Sequence, residues 1–92
     1  MVSKQELIEE ASEILGSIYK RDIFGIGNNE SCLESAELKR LVKWHEDLRV
    51  FALNLDNQAI ERELNSIWFY NGERVSEDGI RYAIKLLNQI ED

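Results

Sequence analysis

Three segments of this chain share one helix-start pattern, in which an apolar residue precedes a capping residue and a second apolar residue lies four positions after the cap. The apolar pairs are Val2 with Leu7, Leu55 with Ile60, and Val75 with Ile80, around the caps Ser3, Asp56 and Ser76. Apolar residues at this spacing pack together across the first turn of a helix. The chain contains no proline, so nothing in it forces a break inside a helix. These features predict a helical protein.

Apolar residues at helical spacing extend the prediction to four helices. They cover about residues 4–20, 32–54, 57–70 and 77–89. No stretch alternates apolar and polar residues for long, so strand signals are weak. We therefore predict an all-α fold, a single-domain antiparallel four-helix bundle over residues 1–92.

The first two predicted helices are joined by a loop at 21–31. This segment reads RDIFGIGNNES, and its two glycines and two asparagines are typical of a loop. Its apolar residues Ile23, Phe24 and Ile26 are expected to fold back onto the helices. Ser31 and Glu34 have the spacing of a capping box for the helix that follows.

The stretch SIWFYNGERVSEDG, residues 66–79, admits two local structures. Asn71-Gly72 between apolar runs is the strongest short-range signal for a β-hairpin. Gly72 would equally supply the left-handed residue that ends a helix. Because the apolar residues from Ile60 to Trp68 fit one helix and Ser76 begins another, we interpret Asn71-Gly72 as a helix stop.

That interpretation leaves aromatic side chains without a place in the core. Successive helical residues turn by about 100°, so Phe69 points away from the face that holds Ile60 and Leu64. In the last helix, Tyr82 and Leu86 also lie off the inner face. Either loops and the second helix cover these side chains, or they form a partner surface with a basic rim. The second interpretation assigns partner binding to Phe69, Tyr70, Arg74, Arg81, Tyr82, Lys85 and Leu86.

Length and charge limit the function classes. The 92 residues make one domain, and the formal net charge of -7 argues against binding to nucleic acid. No apolar run approaches the roughly 20 residues of a membrane span, so membrane insertion is not expected. A single cysteine, Cys32, and a beginning without a signal peptide favour the cytoplasm.

The residues that usually carry catalysis are sparse. His45 is the only histidine, which excludes a two-histidine zinc motif, and Arg49 stands where HExxH would have its second histidine. Cys32 has no recognisable catalytic partner. The GIG sequence at 25–27 lacks the lysine and hydroxyl residue of a phosphate loop. We therefore predict no catalytic residue, no metal site and no cofactor, and hence a non-enzymatic protein.

One face of the first predicted helix is acidic. It consists of Glu6, Glu9, Glu10 and Glu13. Such a face is usually solvated, and if it binds anything, a basic partner is the best match.

Residues 55–91 resemble a known family. They read LDNQAIERELNSIWFYNGERVSEDGIRYAIKLLNQIE, and they resemble the immunity proteins that protect bacteria from pediocin-like bacteriocins, the enterocin A immunity type. The resemblance rests on an Ile-x-Arg-x-x-Asn helix ending in aromatics and on an amphipathic last helix, with residues Ile60, Arg62, Asn65, Ile67, Trp68, Phe69, Ile80, Ile84, Leu86, Leu87 and Ile90. It implies a small cytosolic four-helix bundle without catalysis that acts on a bacteriocin-bound receptor.

Other interpretations remain open. Helical inhibitors of basic nuclease toxins use carboxylates to block a cationic active site, which suits the acidity of this chain. A generic interaction module, or a homodimer through Phe69, Tyr82 and Leu86, is the alternative. Residues 31–38, SCLESAEL, resemble the DSLxxxEL of acyl carrier proteins, with Cys32 where that family has the serine that carries phosphopantetheine.

Overall fold

The fold combines helices with a small sheet. The computed structural model describes residues 2–22 and 29–90. Its elements in those residues are α1 (Lys4–Gly16), β1 (Tyr19–Asp22), β2 (Asn29–Cys32), α2 (Ser35–Leu53), α3 (Gln58–Ser66), β3 (Tyr70–Asn71), β4 (Arg74–Val75) and α4 (Glu77–Asn88). The prediction of four helices is confirmed, but the prediction of an all-α four-helix bundle is wrong because four short strands form an antiparallel sheet.

Two of the predicted helix starts are confirmed in detail. The Ser3 side chain accepts a hydrogen bond from the backbone N–H of Glu6, and Ser76 accepts one from Gly79. The cap of α3 is Asn57, which accepts from Ile60, and not the predicted Asp56. At α2 the cap position is Glu34, without a side-chain cap hydrogen bond, so the predicted capping role of Ser31 is wrong. Ser31 lies instead in a strand.

The predicted loop at 21–31 contains most of a β-hairpin. Strand β1 pairs antiparallel with β2, with Tyr19 opposite Cys32 and Asp22 opposite Asn29. The prediction that the first helix runs to residue 20 is therefore wrong, since α1 ends at Gly16. The contacts expected of Ile23, Phe24 and Ile26 lie outside the described residues.

A second, shorter hairpin stands where we predicted a helix stop. Strands β3 and β4 pair through Tyr70 with Val75 and Asn71 with Arg74. Gly72 has a φ of 63° and, with Glu73, forms the two-residue turn between them. A positive φ at the first turn residue alone is the pattern of a type II′ turn. The rejected hairpin interpretation is thus the correct one.

The four strands form one sheet in the order β1-β2-β4-β3, so β1 is an edge strand. Strands β2 and β4 meet through Cys32 and Arg74. Along the chain, α1 and α3 lead into the sheet, whereas α2 and α4 start directly after it. The sheet therefore covers one end of the helical layer.

The helices enclose a single apolar core. Helix α1 packs against α2 and α4, and α3 packs against the same two helices. The buried side chains of this core are Leu7, Ala11, Ile14, Leu33, Leu41, Trp44, Leu48, Ala52, Ile60, Leu64, Phe69, Val75, Ile80, Ala83, Leu86 and Leu87, and Cys32 is buried as well. In the part of the chain that the structure describes, no helix has both the length and the apolar character needed to cross a bilayer.

Candidate partner-binding surface

The segment that joins α3 to β3 leaves the helix earlier than the sequence pattern predicted. Helix α3 ends at Ser66, and Ile67 is already extended, with φ of −77° and ψ of 135°. The Ser66 hydroxyl donates to the carbonyl of Glu63 at 2.9 Å. The residues that follow are β-branched or aromatic, types that favour strands over helices. The chain from Ile67 to Tyr70 is therefore extended, and its side chains point in directions that a helix would not allow.

Phe69 is part of the core. It is only 2% exposed. Its ring lies edge-on to Trp44, with centroids 5.1 Å apart, and 5.0 Å from the ring of His45. The prediction that Phe69 points away from the core is wrong, because the helix ends before this residue. Leu86, also predicted to lie off the inner face, is 1% exposed.

Trp68 is the most exposed of the described aromatic side chains. It is 48% exposed, although the apolar pattern from Ile60 to Trp68 had predicted one helix through this residue. Its backbone carbonyl lies against α4: a Cβ on Gly79 would stand 2.5 Å from that oxygen. Only a glycine allows this approach. The close contact fixes the Trp68 backbone against α4.

Tyr82 lies on the same helix one turn after Gly79 and is 39% exposed. Residues three apart on a helix are neighbours on one side, so Tyr82 follows the point where Trp68 touches α4. Its hydroxyl donates to the carboxylate of Glu63 at 3.1 Å. This hydrogen bond, aided by burial, raises the pKa of the Tyr82 phenol. We call the set of Glu63, Trp68 and Tyr82 the aromatic surface.

The predicted basic rim is largely paired with carboxylates. Arg74 contacts Glu30 at 2.7 Å. Arg81 contacts Glu77 at 2.6 Å, one turn earlier on α4. Lys85 is exposed. Two of the three predicted cations therefore already have anionic neighbours within the chain.

Tyr70 faces α2 and not the aromatic surface. It is half-buried, and its ring lies 5.7 Å from that of His45 between centroids. The Tyr70 hydroxyl and His45 Nδ1 are 3.5 Å apart, a long contact. The seven residues predicted to bind a partner are therefore divided among the core, the α2 side, the sheet and the α4 surface.

The acidic face of α1 is partly neutralised by α2. Arg40 reaches across to Glu10 at 2.6 Å and Glu13 at 2.9 Å, and it also contacts Glu37 on its own helix. The other two carboxylates make local contacts: Glu6 accepts from the Ser3 hydroxyl, and Glu9 accepts from the Gln5 amide. Surface ion pairs contribute little individually, so this cluster mainly positions α1 against α2.

Two further residues, Cys32 and Trp44, lie in the interior of the fold. Cys32 is fully buried. The indole N–H of Trp44 donates to the carbonyl of Leu7 at 2.9 Å and joins α2 to α1. Within residues 2–22 and 29–90, no group of three or more histidine, cysteine or carboxylate side chains is arranged to hold a metal ion.

Comparison of the chain with protein-family models, with curated proteins and with solved structures found no match.

Proposed function

We propose that the protein is a small, non-enzymatic protein-binding module of the cytoplasm, and that its partner contacts the aromatic surface. The observation that carries this proposal is the exposure of both Trp68 and Tyr82, with the Trp68 backbone carbonyl lying against Gly79, three residues before Tyr82 on α4. The other tryptophan, Trp44, is buried and hydrogen-bonded. Tryptophan and tyrosine supply much of the binding energy at protein interfaces. A tryptophan whose backbone already lies packed against α4 suits that role because less backbone freedom is lost on binding.

The cellular role that we propose is protection of a bacterial cell by binding a toxin, a bacteriocin or its receptor complex. Two features support it: the resemblance of residues 55–91 to bacteriocin immunity proteins, and the net charge of -7, which favours a basic partner. The alternative is an interaction module, or a homodimer, without a protective role.

The test compares two variants that we expect to fold like the wild type. The double variant Trp68→Ala/Tyr82→Ala removes both anchors, and Val50→Ser changes an apolar residue of α2 that is similarly exposed, at 52%. We expect the double variant to retain its thermal midpoint within a few degrees and to lose capture of the native partner from its host. Val50→Ser should capture that partner normally. Equal capture by the double variant and the wild type would refute the proposed surface.

The protective role has its own experiment. If a toxin or bacteriocin gene lies beside the gene of this chain, cells that express the wild-type chain should survive a challenge with its product, and cells that express the double variant should not. Capture that weakens steeply with added salt would favour the inhibitor of a basic nuclease. If the protein binds its partner through the aromatic surface but gives no gain in survival, the protective role is overturned. The protein would then be an interaction module without that role.

A further inference from the structure

A cleft between α2 and the end of α3 has the composition of a small binding site. It is lined by His45, Arg49 and Leu53 from α2 and by Asn65 and Ile67, and its volume is about 280 Å³. The three α2 residues are four positions apart, so they lie along one side of that helix. Neither Trp68 nor Tyr82 lines the cleft, and its role is therefore independent of the aromatic surface.

The cleft contains a positive charge that the chain does not neutralise. Arg21, Arg40, Arg74 and Arg81 each pair with a carboxylate. Among the described residues Arg49, like Arg62 on α3, makes no ion pair, although acidic residues outnumber basic ones by 18 to 11. A guanidinium group in this position is free to bind a carboxylate through two parallel hydrogen bonds.

His45 provides a second donor on the same side. Its Nδ1 faces the Tyr70 hydroxyl, which leaves Nε2 on the other side of the ring without a hydrogen bond in the described residues. Burial and the charge of Arg49 lower the pKa of His45, and Glu46 acts in the opposite direction. An anion bound beside Arg49 would offset that repulsion and favour the protonated ring.

The remaining walls are apolar or neutral. Leu53 is 72% exposed, the most exposed large apolar residue described, and Ile67 is half-buried. An apolar group lying against Leu53 and Ile67 would remove both from water. The Asn65 side chain adds an amide that can donate to an oxygen.

We propose that this cleft binds a carboxylate carried on a short apolar group, with Arg49 and His45 on the carboxylate and Leu53 and Ile67 on the apolar part. The volume of about 280 Å³ lies just below the roughly 300–1,000 Å³ of small-molecule sites, so the ligand is short. This chemistry occurs both in a free fatty acid and at the carboxyl end of a peptide that finishes in leucine.

The experiment titrates the whole protein, with binding followed by NMR shifts of backbone amides in α2 and α3. The probes are hexanoate, hexanamide, and a peptide ending in leucine with either a free or an amidated carboxyl end. We expect hexanoate to saturate the shifts and hexanamide to bind at least about ten-fold more weakly, as the loss of a charge-assisted hydrogen bond predicts. A free-ended peptide that binds at least about ten-fold more tightly than hexanoate identifies a peptide as the source of the ligand. Otherwise the source is the free acid.

Two arginine variants provide the matched comparison. Arg49→Gln should raise the Kd for hexanoate about ten-fold, whereas Arg62→Gln, at an exposed arginine of α3 outside the cleft, should leave it unchanged. Thermal midpoints of both variants check that they fold. The wild type should bind hexanoate more tightly near pH 6 than near pH 7.5, on either side of the ordinary histidine pKa, and His45→Gln should remove that difference.

Three outcomes would overturn the proposal. The first is the absence of a saturable shift with hexanoate up to about 10 mM, a Kd weaker than the millimolar range. The second is equal binding of hexanamide and hexanoate. The third is an unchanged Kd in Arg49→Gln.

Discussion

Phe69 fills the space between Trp44 and His45, and the stability of the core depends on it. Replacing Phe69 with alanine removes a buried ring and leaves a cavity, which typically costs about 3–5 kcal/mol of the free energy of unfolding. Trp68→Ala, at the neighbouring exposed position, should cost about 1 kcal/mol or less. Urea denaturation of the two variants measures both values. Similar losses of stability at the two positions would contradict the burial of Phe69 and the exposure of Trp68.

Gly79 and Gly16 differ in the space that the structure leaves for one added Cβ atom. Both lie in helices, where alanine is favoured over glycine by about 1 kcal/mol. At Gly79 the added Cβ would stand 2.5 Å from the Trp68 carbonyl oxygen, whereas at Gly16 it would meet nothing within 4 Å. We therefore expect Gly16→Ala to raise the thermal midpoint and Gly79→Ala to lower it. A stabilised Gly79→Ala protein would show that α4 does not approach Trp68 this closely.

The candidate site was only partly predictable from single residues. The helical wheel placed Tyr82 and Leu86 alike off the inner face, yet Tyr82 is exposed and Leu86 is buried, so the wheel alone did not decide between an exposed and a covered Tyr82. The exposure of Trp68 and the burial of Phe69 did not follow from the wheel either, since both depend on where α3 ends. The run of Ile67, Trp68, Phe69 and Tyr70, all strand-favouring types, is the signal that could have revealed it.

Among the secondary-structure elements, local sequence predicted the helices better than the strands. Helix starts at Ser3 and Ser76 depend on caps and apolar pairs within one turn, and the sequence predicted them. The strands are two to four residues long, too short for an alternating pattern to be recognised. The pairing of β2 with β4 brings Cys32 next to Arg74, although α2 and α3 lie between these residues in the sequence. A local sequence pattern cannot predict such a contact.

The β3–β4 hairpin depends on the backbone of Gly72. A side chain at its φ of 63° is disfavoured, by roughly 1–2 kcal/mol for most residues and less for asparagine. We expect Gly72→Ala to lower the free energy of unfolding by about this amount and Gly72→Asn to lower it less. Urea denaturation gives the free energies, and NMR contacts between Tyr70 and Val75 report the hairpin. Equal stability of Gly72→Ala and wild type would contradict the assigned turn.

For the whole molecule, acid should reduce stability in two steps. Burial lowers the pKa of His45 in the folded protein, so the unfolded chain binds the proton more readily, and stability is lost as the pH falls below about 6.5. Hydrogen bonds from Arg81 and Lys20 lower the pKa of Glu77, and its contribution is lost as the pH falls below the ordinary glutamate range. Both contributions are fully present above about pH 7.5, where an ordinary histidine is neutral.

Urea denaturation at several pH values separates the two steps. The free energy of unfolding should decline between about pH 7.5 and pH 5.5, the range in which an ordinary histidine titrates. In His45→Gln this decline should be smaller, while the loss at lower pH persists. A wild-type stability that stays constant down to about pH 5.5 would contradict the burial of His45.

Strand β1 has consequences for how separate molecules meet. In the described residues it pairs only with β2, and its four side chains are exposed. An edge strand of this kind can extend the sheet of another molecule and begin aggregation. Every antiparallel register that pairs three or four residues of Tyr19–Asp22 with a second copy, however, sets Lys20 or Arg21 against Lys20 or Arg21. Like charges directly opposite one another are unfavourable.

Replacing both Lys20 and Arg21 should therefore lower the protein concentration at which aggregation begins. We expect Lys20→Thr/Arg21→Thr to form sheet-rich aggregates at concentrations where the wild type stays in solution, as measured by light scattering and infrared spectroscopy. The conservative variant Lys20→Arg/Arg21→Lys keeps the charges and should behave like the wild type. A soluble threonine variant would mean that another feature protects the edge. The two basic residues that pair with carboxylates inside one molecule thus also set the upper limit of concentration at which many molecules remain separate.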